Sequence, residues 1–328
     1  MGGAPRRTVL ITDCDHGTID QEQAVLTDAD VTLRLASCRT EDDVIREGVR
    51  ASVLINQYAP ITARVLSALP CVRLVVRYGV GVDNIDVPAA TERGVWVANV
   101  PDYGTEEVAD HAIALTLTVL RGIACLDRSV RAGRWDYTDA RPLRRLSTLT
   151  FGVVGCGAIG TAAGCRASGL AMRVVGADPD PSRPAEASGI EKVSMAGLLA
   201  QADVVSLHAF LSADTEGLIG EQALAAMKPS AVLINTARGG LVDSVALLNA
   251  LEAGQIAAAG LDVLAVEPPE AAGSRLAGHP RVVMTPHAAW YSEESFATLK
   301  REVAREALRV LEGHQPRSPV NSPLRPAR

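Results

Sequence analysis

One hexapeptide constrains this chain more than any other feature. Gly155-Cys156-Gly157-Ala158-Ile159-Gly160 follows the apolar run Phe151–Val154 and opens a helical pattern. A strand, a glycine-rich turn and a helix in that order form the first half of a βαβ unit. The first glycine allows the tight turn, and the second lets backbone approach a pyrophosphate. The third lets helix and strand pack closely, while the helix N-terminus faces the anion. Eighteen residues after Gly160, Asp178 ends the run Arg173–Ala177, where a carboxylate would accept from the adenine ribose hydroxyls. Chance could place a bare glycine hexapeptide in a chain with 28 Gly, but not strand, helix and acid with it. Asp178-Pro179-Asp180 puts two carboxylates where a 2′-phosphate would need a cation, and Arg183 is the one nearby candidate. The reading is therefore NAD, held by Gly155, Gly157, Ala158, Ile159, Gly160 and Asp178.

The remaining chain is long enough for a second domain, since 328 residues exceed the roughly 100–200 of one domain. Apolar residues at 48% and charged residues at 21% fit a globular protein and argue against bulk disorder. Aromatics are only 3%, so the cores must be built from Ala, Val, Leu and Ile, which suits parallel α/β layers. A net charge of −6 without any Lys/Arg block beyond pairs such as Arg6-Arg7 and Arg144-Arg145 makes nucleic acid a poor partner. Six cysteines without a CxxC pair read as reduced thiols of a cytoplasmic protein. The N-terminal run Val9–Thr12 is too short for a signal peptide, and no stretch approaches the ~18 apolar residues of a membrane helix. No membrane partner and no metal are expected.

Short β-branched runs alternate with helical patterns, the mark of parallel βαβ construction. Val9–Thr12, Val31–Leu35, Ser52–Ile55, Leu74–Val76 and Val95–Ala98 read as strands, with a helix over Thr40–Arg50 opened by the capping-box pair Thr40 and Asp43. A long amphipathic helix is expected from Thr105 to about Arg131, long enough to bridge two domains. A second alternation follows: Phe151–Val154, Arg173–Ala177, Asp203–Leu207, Ala231–Thr236, Ala258–Val263 and Arg281–Thr285. A last helix, capped by Ser292, runs to Leu311 before a Pro-rich tail, 316–328, expected to be disordered. The last helix lacks a partner in the second block, so it is expected to pack on the first and make that domain discontinuous.

Three segments place a titratable or cationic residue just beyond a strand, at the edge where open α/β sheets bind ligands. They are Asn235-Thr236-Ala237-Arg238-Gly239-Gly240, Asp262 through Glu267-Pro268, and Thr285-Pro286-His287-Ala288-Ala289-Trp290. A cation, a carboxylate and a histidine on one rim can bind a carboxylate substrate and exchange a proton with its neighbouring oxygen. With these segments, the NAD fingerprint and Arg77-Tyr78-Gly79-Val80-Gly81-Val82-Asp83-Asn84-Ile85-Asp86, the sequence resembles the D-isomer-specific 2-hydroxyacid dehydrogenases over essentially its whole length. The run His287-Ala288-Ala289-Trp290-Tyr291-Ser292-Glu293 looks most like the C-terminal binding protein-like branch.

The resemblance implies two doubly wound parallel-sheet domains. An NAD-binding Rossmann domain, 104–289, would be inserted into a flavodoxin-like substrate domain made of 1–103 and 290–328. It implies hydride exchange between nicotinamide and a small anionic 2-oxo or 2-hydroxy acid, with His287 as acid/base, Glu267 keeping it charged, and Arg238 on the substrate carboxylate. Arg77, Val80, Gly81 and Trp290 would touch substrate, although Trp290 could equally staple the last helix. Thr105, His208, Ala209, Thr215, Thr236, Ala237, Arg238, Asp262 and His287 would complete the cofactor contacts, with Asp262 at the nicotinamide end. A homodimer through the NAD-binding domain is implied as well. Phe210 departs from the family's usual Pro. If Arg141, Arg144 or Arg145 reached the pocket, a doubly charged substrate would become plausible. The alternatives are an NAD(H)-sensing corepressor-like scaffold, or a dehydrogenase for a phosphonate- or phosphite-type anion.

Overall fold

The computed structural model describes residues 7–184 and 188–323. It divides into two compact units, Met1–Tyr103 with Ser292–Arg328, and Gly104–Tyr291. Unit 1 contains β1 (Arg7–Ile11), α1 (Asp20–Leu26), β2 (Val31–Leu35), α2 (Glu41–Gly48), β3 (Ala51–Asn56), α3 (Ala63–Ala68), β4 (Leu74–Arg77), α4 (Val87–Glu92) and β5 (Trp96–Ala98), closed by α12 (Glu293–Leu311). Its five strands are parallel in the order β2-β1-β3-β4-β5. That is the flavodoxin-like order, in which the winding reverses between β1 and β3. The central strands are apolar runs because both faces are covered: Val53, Leu54, Ile55, Leu74, Val75 and Val76 are fully buried. The Thr40–Asp43 spacing forms a capping box, with the Thr40 N–H donating to Asp43 Oδ2 at 3.1 Å. The last helix packs its buried Leu299, Val303, Ala304, Ala307 and Leu311 against α1, β3 and β4.

The tail is a correction. Far from being disordered, residues 316–323 lie along β5, with an antiparallel bridge between Ala98 and Pro319 and the Val320 N–H donating to Val97 O at 2.8 Å. Asn321 locks the arrangement. Its side chain accepts the Val97 N–H at 2.8 Å and donates to Thr91 Oγ1 at 3.0 Å and Val95 O at 2.9 Å. Composition read the prolines as linker, whereas β5 offered an edge whose backbone groups needed partners. Residues 324–328 lie outside the described set.

Unit 2 contains α5 (Thr105–Leu120), α6 (Ile123–Arg131), β6 (Thr150–Val154), α7 (Ala158–Gly169), β7 (Arg173–Ala177), β8 (Glu191–Lys192), α8 (Met195–Gln201), β9 (Val204–Leu207), α9 (Glu221–Ala226), β10 (Val232–Asn235), α10 (Ser244–Glu252), β11 (Ala258–Leu261), α11 (Ala272–Gly278) and β12 (Val282–Met284). The sheet is parallel throughout, in the order β12-β11-β10-β9-β6-β7-β8. The winding reverses between β6 and β9, the position at which open sheets bind dinucleotides. The two-residue β8 pairs only with β7 and is exposed, so it carries no apolar pattern to read.

The expected long helix is two helices. Gly122 takes φ +63, a left-handed conformation, and α5 and α6 meet at 59°. A Cβ on Gly122 would sit 2.7 Å from Ala140 Cβ, so the break accommodates the returning 137–140 turn as well. The apolar side of α5 is used inside unit 2, where Ala109, Ala112, Ile113, Leu115 and Thr116 are buried against α7, β10 and β11. No single described helix is long and apolar enough to cross a membrane. The unit's far boundary also falls later than expected, after Tyr291, because the Tyr291 N–H still donates to Ala288 O at 3.0 Å while Ser292 begins the cap of α12.

Asn321→Ala removes three hydrogen bonds, two of them buried. It is expected to destabilise unit 1 by about 1–3 kcal/mol and lower the thermal midpoint by several degrees, measured by calorimetry.

Candidate active site

The carboxyl ends of β6 and β9 frame the glycine-rich loop. Gly155 has φ +90, and a Cβ there would lie 2.7 Å from the backbone of His208 and Ala209, so only glycine permits β6 and β9 to leave the sheet side by side. A Cβ on Gly160 would lie 2.0 Å from Gly155 O, which keeps α7 tight on its strand. Gly157 differs, since a Cβ there would meet only Arg183 Nη1 at 3.4 Å. Its space is open for a ligand, above a helix start with no side-chain cap. The Asp178 carboxylate accepts the Cys156 N–H at 2.7 Å and the Asp180 N–H at 2.9 Å. The acid expected at the ribose thus also shapes the glycine-rich loop.

At the carboxyl ends of β9 and β10, two buried polar atoms have no partner among the described residues, His208 Nδ1 and Thr236 Oγ1. Buried polar groups are normally satisfied, so these await a ligand's donors or acceptors. Burial lowers His208 to about 4 and keeps it neutral, and its Nε2 lies 2.9 Å from Ser206 Oγ. The glycine cradle, the acid and these orphaned atoms fit a dinucleotide. Thr215 is turned to its own loop, its hydroxyl donating to Phe210 O at 2.6 Å. Thr105 begins α5, and Ala209 and Ala237 follow β9 and β10.

Arg238 follows β10, whose Asn235 makes the turn: its Oδ1 accepts the Ala237 N–H at 3.0 Å and its Nδ2 donates to Arg238 O at 2.9 Å. Gly239 then touches the β11 loop so closely that a Cβ would fall 1.8 Å from the Leu264 carbonyl carbon. That approach brings Arg238 beside Glu267. The Glu267 carboxylate accepts the Leu264 N–H at 2.8 Å and faces His287, with Nδ1 to Oε2 at 2.7 Å. Burial pulls Glu267 upward, but the hydrogen bond and charge of His287, the Leu264 N–H and the Arg238 charge outweigh it. The carboxyl therefore lies below the usual glutamate range. On the acid side, the stabilisation from this pairing is lost as pH falls through the depressed value.

His287 is held in the left-handed region at φ +54, a conformation rare for a residue with a Cβ. Asp262, 2% exposed, holds it there. Its Oδ1 accepts from Thr285 Oγ1 at 2.5 Å and the Ala288 N–H at 2.9 Å, and its Oδ2 accepts the Ala289 N–H at 2.9 Å. The His287 N–H donates to Asp262 O at 2.8 Å. The Asp262 carboxylate that the motif reading aimed at nicotinamide is thus engaged with the histidine loop. His111 on α5 supports Thr285, with Nε2 to Oγ1 at 2.9 Å. Sequence reasoning missed the organising roles of Asn235, Asp262 and Thr285; only the Asn before Thr-Ala-Arg-Gly carried a turn signal. Trp290 meets Tyr291 edge to face at 5.6 Å, and its carbonyl lies 3.3 Å from where a Gly104 Cβ would be.

In unit 1, Gly79 takes φ +126, and a Cβ would collide with Arg77 Nη1 at 2.0 Å. The guanidinium therefore lies over the turn that follows β4. Asn99 Nδ2 donates to Val80 O at 2.6 Å and the Val100 N–H to Gly79 O at 3.0 Å. Among the described residues neither the Val80 nor the Gly81 N–H has an acceptor. Arg144 binds buried Asp203 at 2.7 Å, joined by Lys228 at 3.2 Å. Asp203 precedes β9, so Arg144 sits at the amino edge of the sheet, opposite Arg238 and His287. Arg141 is spent on Tyr137, its Nη2 donating to the hydroxyl at 2.8 Å.

Residues 113–289 match the family model described as D-isomer specific 2-hydroxyacid dehydrogenase, NAD binding domain. The chain is 41% identical over 269 residues to a glyoxylate reductase of Korarchaeum cryptofilum, covering 80% of each. It is 37% identical over 286 residues to a D-3-phosphoglycerate dehydrogenase of Archaeoglobus fulgidus, covering 87% of this chain and 54% of that one. The chain thus spans about half the length of the phosphoglycerate dehydrogenases it matches. Among solved structures, a glyoxylate reductase from Paecilomyes thermophila superposes with TM-score 0.87 at 30% identity, covering 97% of this chain and 99% of that one. A D-lactate dehydrogenase from Aquifex aeolicus, complexed with NAD and lactic acid, gives 0.86 at 28% identity, covering 93% and 96%.

Because a Gly157 Cβ meets so little protein, Gly157→Ala is expected to leave the thermal midpoint of the free protein unchanged. The same methyl occupies the ligand's approach, so the Kd for NADH is expected to rise about tenfold or more, or ~1.4 kcal/mol, in a fluorescence titration.

Proposed function

The chain belongs to the D-isomer specific 2-hydroxyacid dehydrogenase family, and from that premise we propose that it is an NAD-dependent oxidoreductase interconverting a small 2-oxo acid and its D-2-hydroxy acid. The observation that carries this reading is the Glu267–His287 contact at 2.7 Å, on the rim that also holds Arg238. When bound, the nicotinamide supplies the hydride that the carbonyl carbon accepts. Nδ1 of His287 is occupied by Glu267, which leaves Nε2 to exchange the proton. In the reducing direction the imidazolium protonates the carbonyl oxygen and becomes neutral imidazole, still oriented by Glu267. Arg238 grips the substrate carboxylate with its planar fork. Within unit 1, the turn after β4 is itself suited to a carboxylate, with Arg77 over it and the N–H groups of Val80 and Gly81 in it. With Arg144 committed to the buried Asp203, we favour a singly charged oxo acid such as glyoxylate or hydroxypyruvate.

A cytoplasmic setting is part of the proposal, supported by six unpaired cysteines. So is a homodimer through unit 2. Supporting it, the stretch from α6 to β6 exposes the large apolar side chains Ile123, Val130, Leu143, Trp135 at 90% and Tyr137 at 70%, of the kind that interfaces cover. Light scattering is expected to give twice the chain mass, and Trp135→Glu to shift it toward monomer.

Assayed by NADH oxidation against a panel of 2-oxo acids, His287→Ala and Arg238→Ala are each expected to lose about 10²-fold or more in turnover, with NADH binding retained. Undiminished turnover in both sinks the assignment. NADH binding without turnover of any oxo acid would favour the scaffold reading, and NAD reduction by phosphite or a phosphonate alone would favour the third. Glu267→Gln keeps an acceptor for Nδ1 but removes the carboxylate that orients the imidazole at 2.7 Å. Its rate at neutral pH is expected to fall roughly tenfold with NADH binding retained.

A further inference from the structure

Behind the turn after β4, unit 1 buries charges that the proposed reaction leaves unused. Glu22 on α1 and Lys300 on α12 are both 0% exposed, with Nζ 3.3 Å from Glu22 Oε1. The same Glu22 oxygen accepts the Tyr78 hydroxyl at 2.6 Å, and Tyr78 stands between Arg77 and Gly79 in the turn. Lys300 also donates to Thr18 O and lies 5.1 Å from the Phe296 ring centroid. His16 closes the box, edge-on to Tyr78 at 5.1 Å and to Phe296 at 5.3 Å. Burial lowers His16 to about 4 and pushes the Tyr78 phenol far above its ordinary value. Both of these neighbours are therefore neutral at physiological pH.

Stability is a weak reason for such a pair. The cost of desolvating two charges offsets their attraction, and well-packed apolar replacements are often neutral or better. What such a pair can supply is direction, and here the single Glu22 Oε1 meets both Lys300 Nζ and the Tyr78 hydroxyl. Tyr78 is tethered at both ends, by its N–H to Asn56 O at 2.8 Å and by its hydroxyl to Glu22. Its two flanks are Arg77, whose guanidinium lies over the turn, and Gly79, whose φ of +126 leaves little freedom to any other residue.

We propose that Tyr78, clamped by the buried Glu22–Lys300 pair, is a positioning residue that sets the Arg77–Gly81 turn for the substrate carboxylate. The proposal rests on the reading of that turn as carboxylate-binding. Tyr78 does not itself touch the substrate. It acts through the direction of its neighbours, so its loss reads out in recognition of the oxo acid and not in cofactor binding.

The test is steady-state kinetics with the best 2-oxo acid of the panel, beside NADH titration and thermal melting. Tyr78→Phe removes one oxygen and keeps the ring; it is expected to raise KM for the oxo acid about tenfold with kcat within about twofold and the Kd for NADH unchanged. The double variant Glu22→Gln/Lys300→Met, which leaves no single uncompensated charge, is expected to do the same. Should it fail to fold, Tyr78→Phe decides alone. An unchanged oxo-acid KM, whatever the melting temperature does, would reduce the network to a structural feature and overturn the proposal. Arg77→Ala separates the two levels. If it raises KM while Tyr78→Phe does not, the turn binds substrate and the clamp is dispensable; if it too leaves KM unchanged, the reading of the turn falls and the clamp with it.

Discussion

The reactive rim depends on one buried carboxylate. Asp262 accepts from Thr285, Ala288 and Ala289 and receives the His287 N–H on its own carbonyl. Left-handed backbone costs a residue with a Cβ roughly 1–2 kcal/mol, and these contacts are what sustain it at His287. Without them the imidazole would relax away from Glu267, and the proton-transfer pair would lose its alignment. Gly239 completes the arrangement from the other side, because its contact with Leu264 is too close for any other residue. One acid and one glycine thus decide where the histidine, the glutamate and the arginine stand.

Much of this was legible in the sequence, and the illegible remainder has physical causes. The parallel sheets announced themselves because strands buried on both faces are uninterrupted apolar runs, as at Leu74–Val76 and Phe151–Val154. The glycine fingerprint and the residues after β10, β11 and β12 were readable because chemistry at strand ends leaves polar residues where the apolar run stops. The break at Gly122 was not, since an isolated glycine in a helical pattern is usually tolerated, and the 137–140 turn that packs beside it is remote from any local pattern. Nor was the tail, whose order depends on Asn321 finding three partners around β5. The Glu22–Lys300 pair joins residues 278 positions apart (300 − 22), beyond the reach of any local pattern.

Charge is divided between the two edges of the unit 2 sheet. At the amino edge, Asp203 is consumed by Arg144, Lys228 and the Thr150 N–H, a closed structural network. At the carboxyl edge, Thr236 Oγ1 and His208 Nδ1 are left without partners. The contrast follows from parallel winding, which sends every strand's exit loop to one side and leaves the return connections on the other. Satisfied charges hold the framework where nothing is to bind, and unsatisfied groups collect where something is.

The interruption of unit 1 by the whole of unit 2 has a consequence for how the molecule is made. Lys300 meets Thr18 across 282 positions, and Arg7 meets Leu311 across 304. On the ribosome, β1 to β5 therefore emerge long before α12, the helix that covers α1, β3 and β4. Until it arrives, the apolar face meant for Leu299, Val303 and Ala307 is bare, and Glu22 lacks its counter-charge. Unit 2, being continuous, can complete its own core first. The unit whose strands are translated earliest is thus the last to be finished, and its interval of exposure is set by the length of the insert.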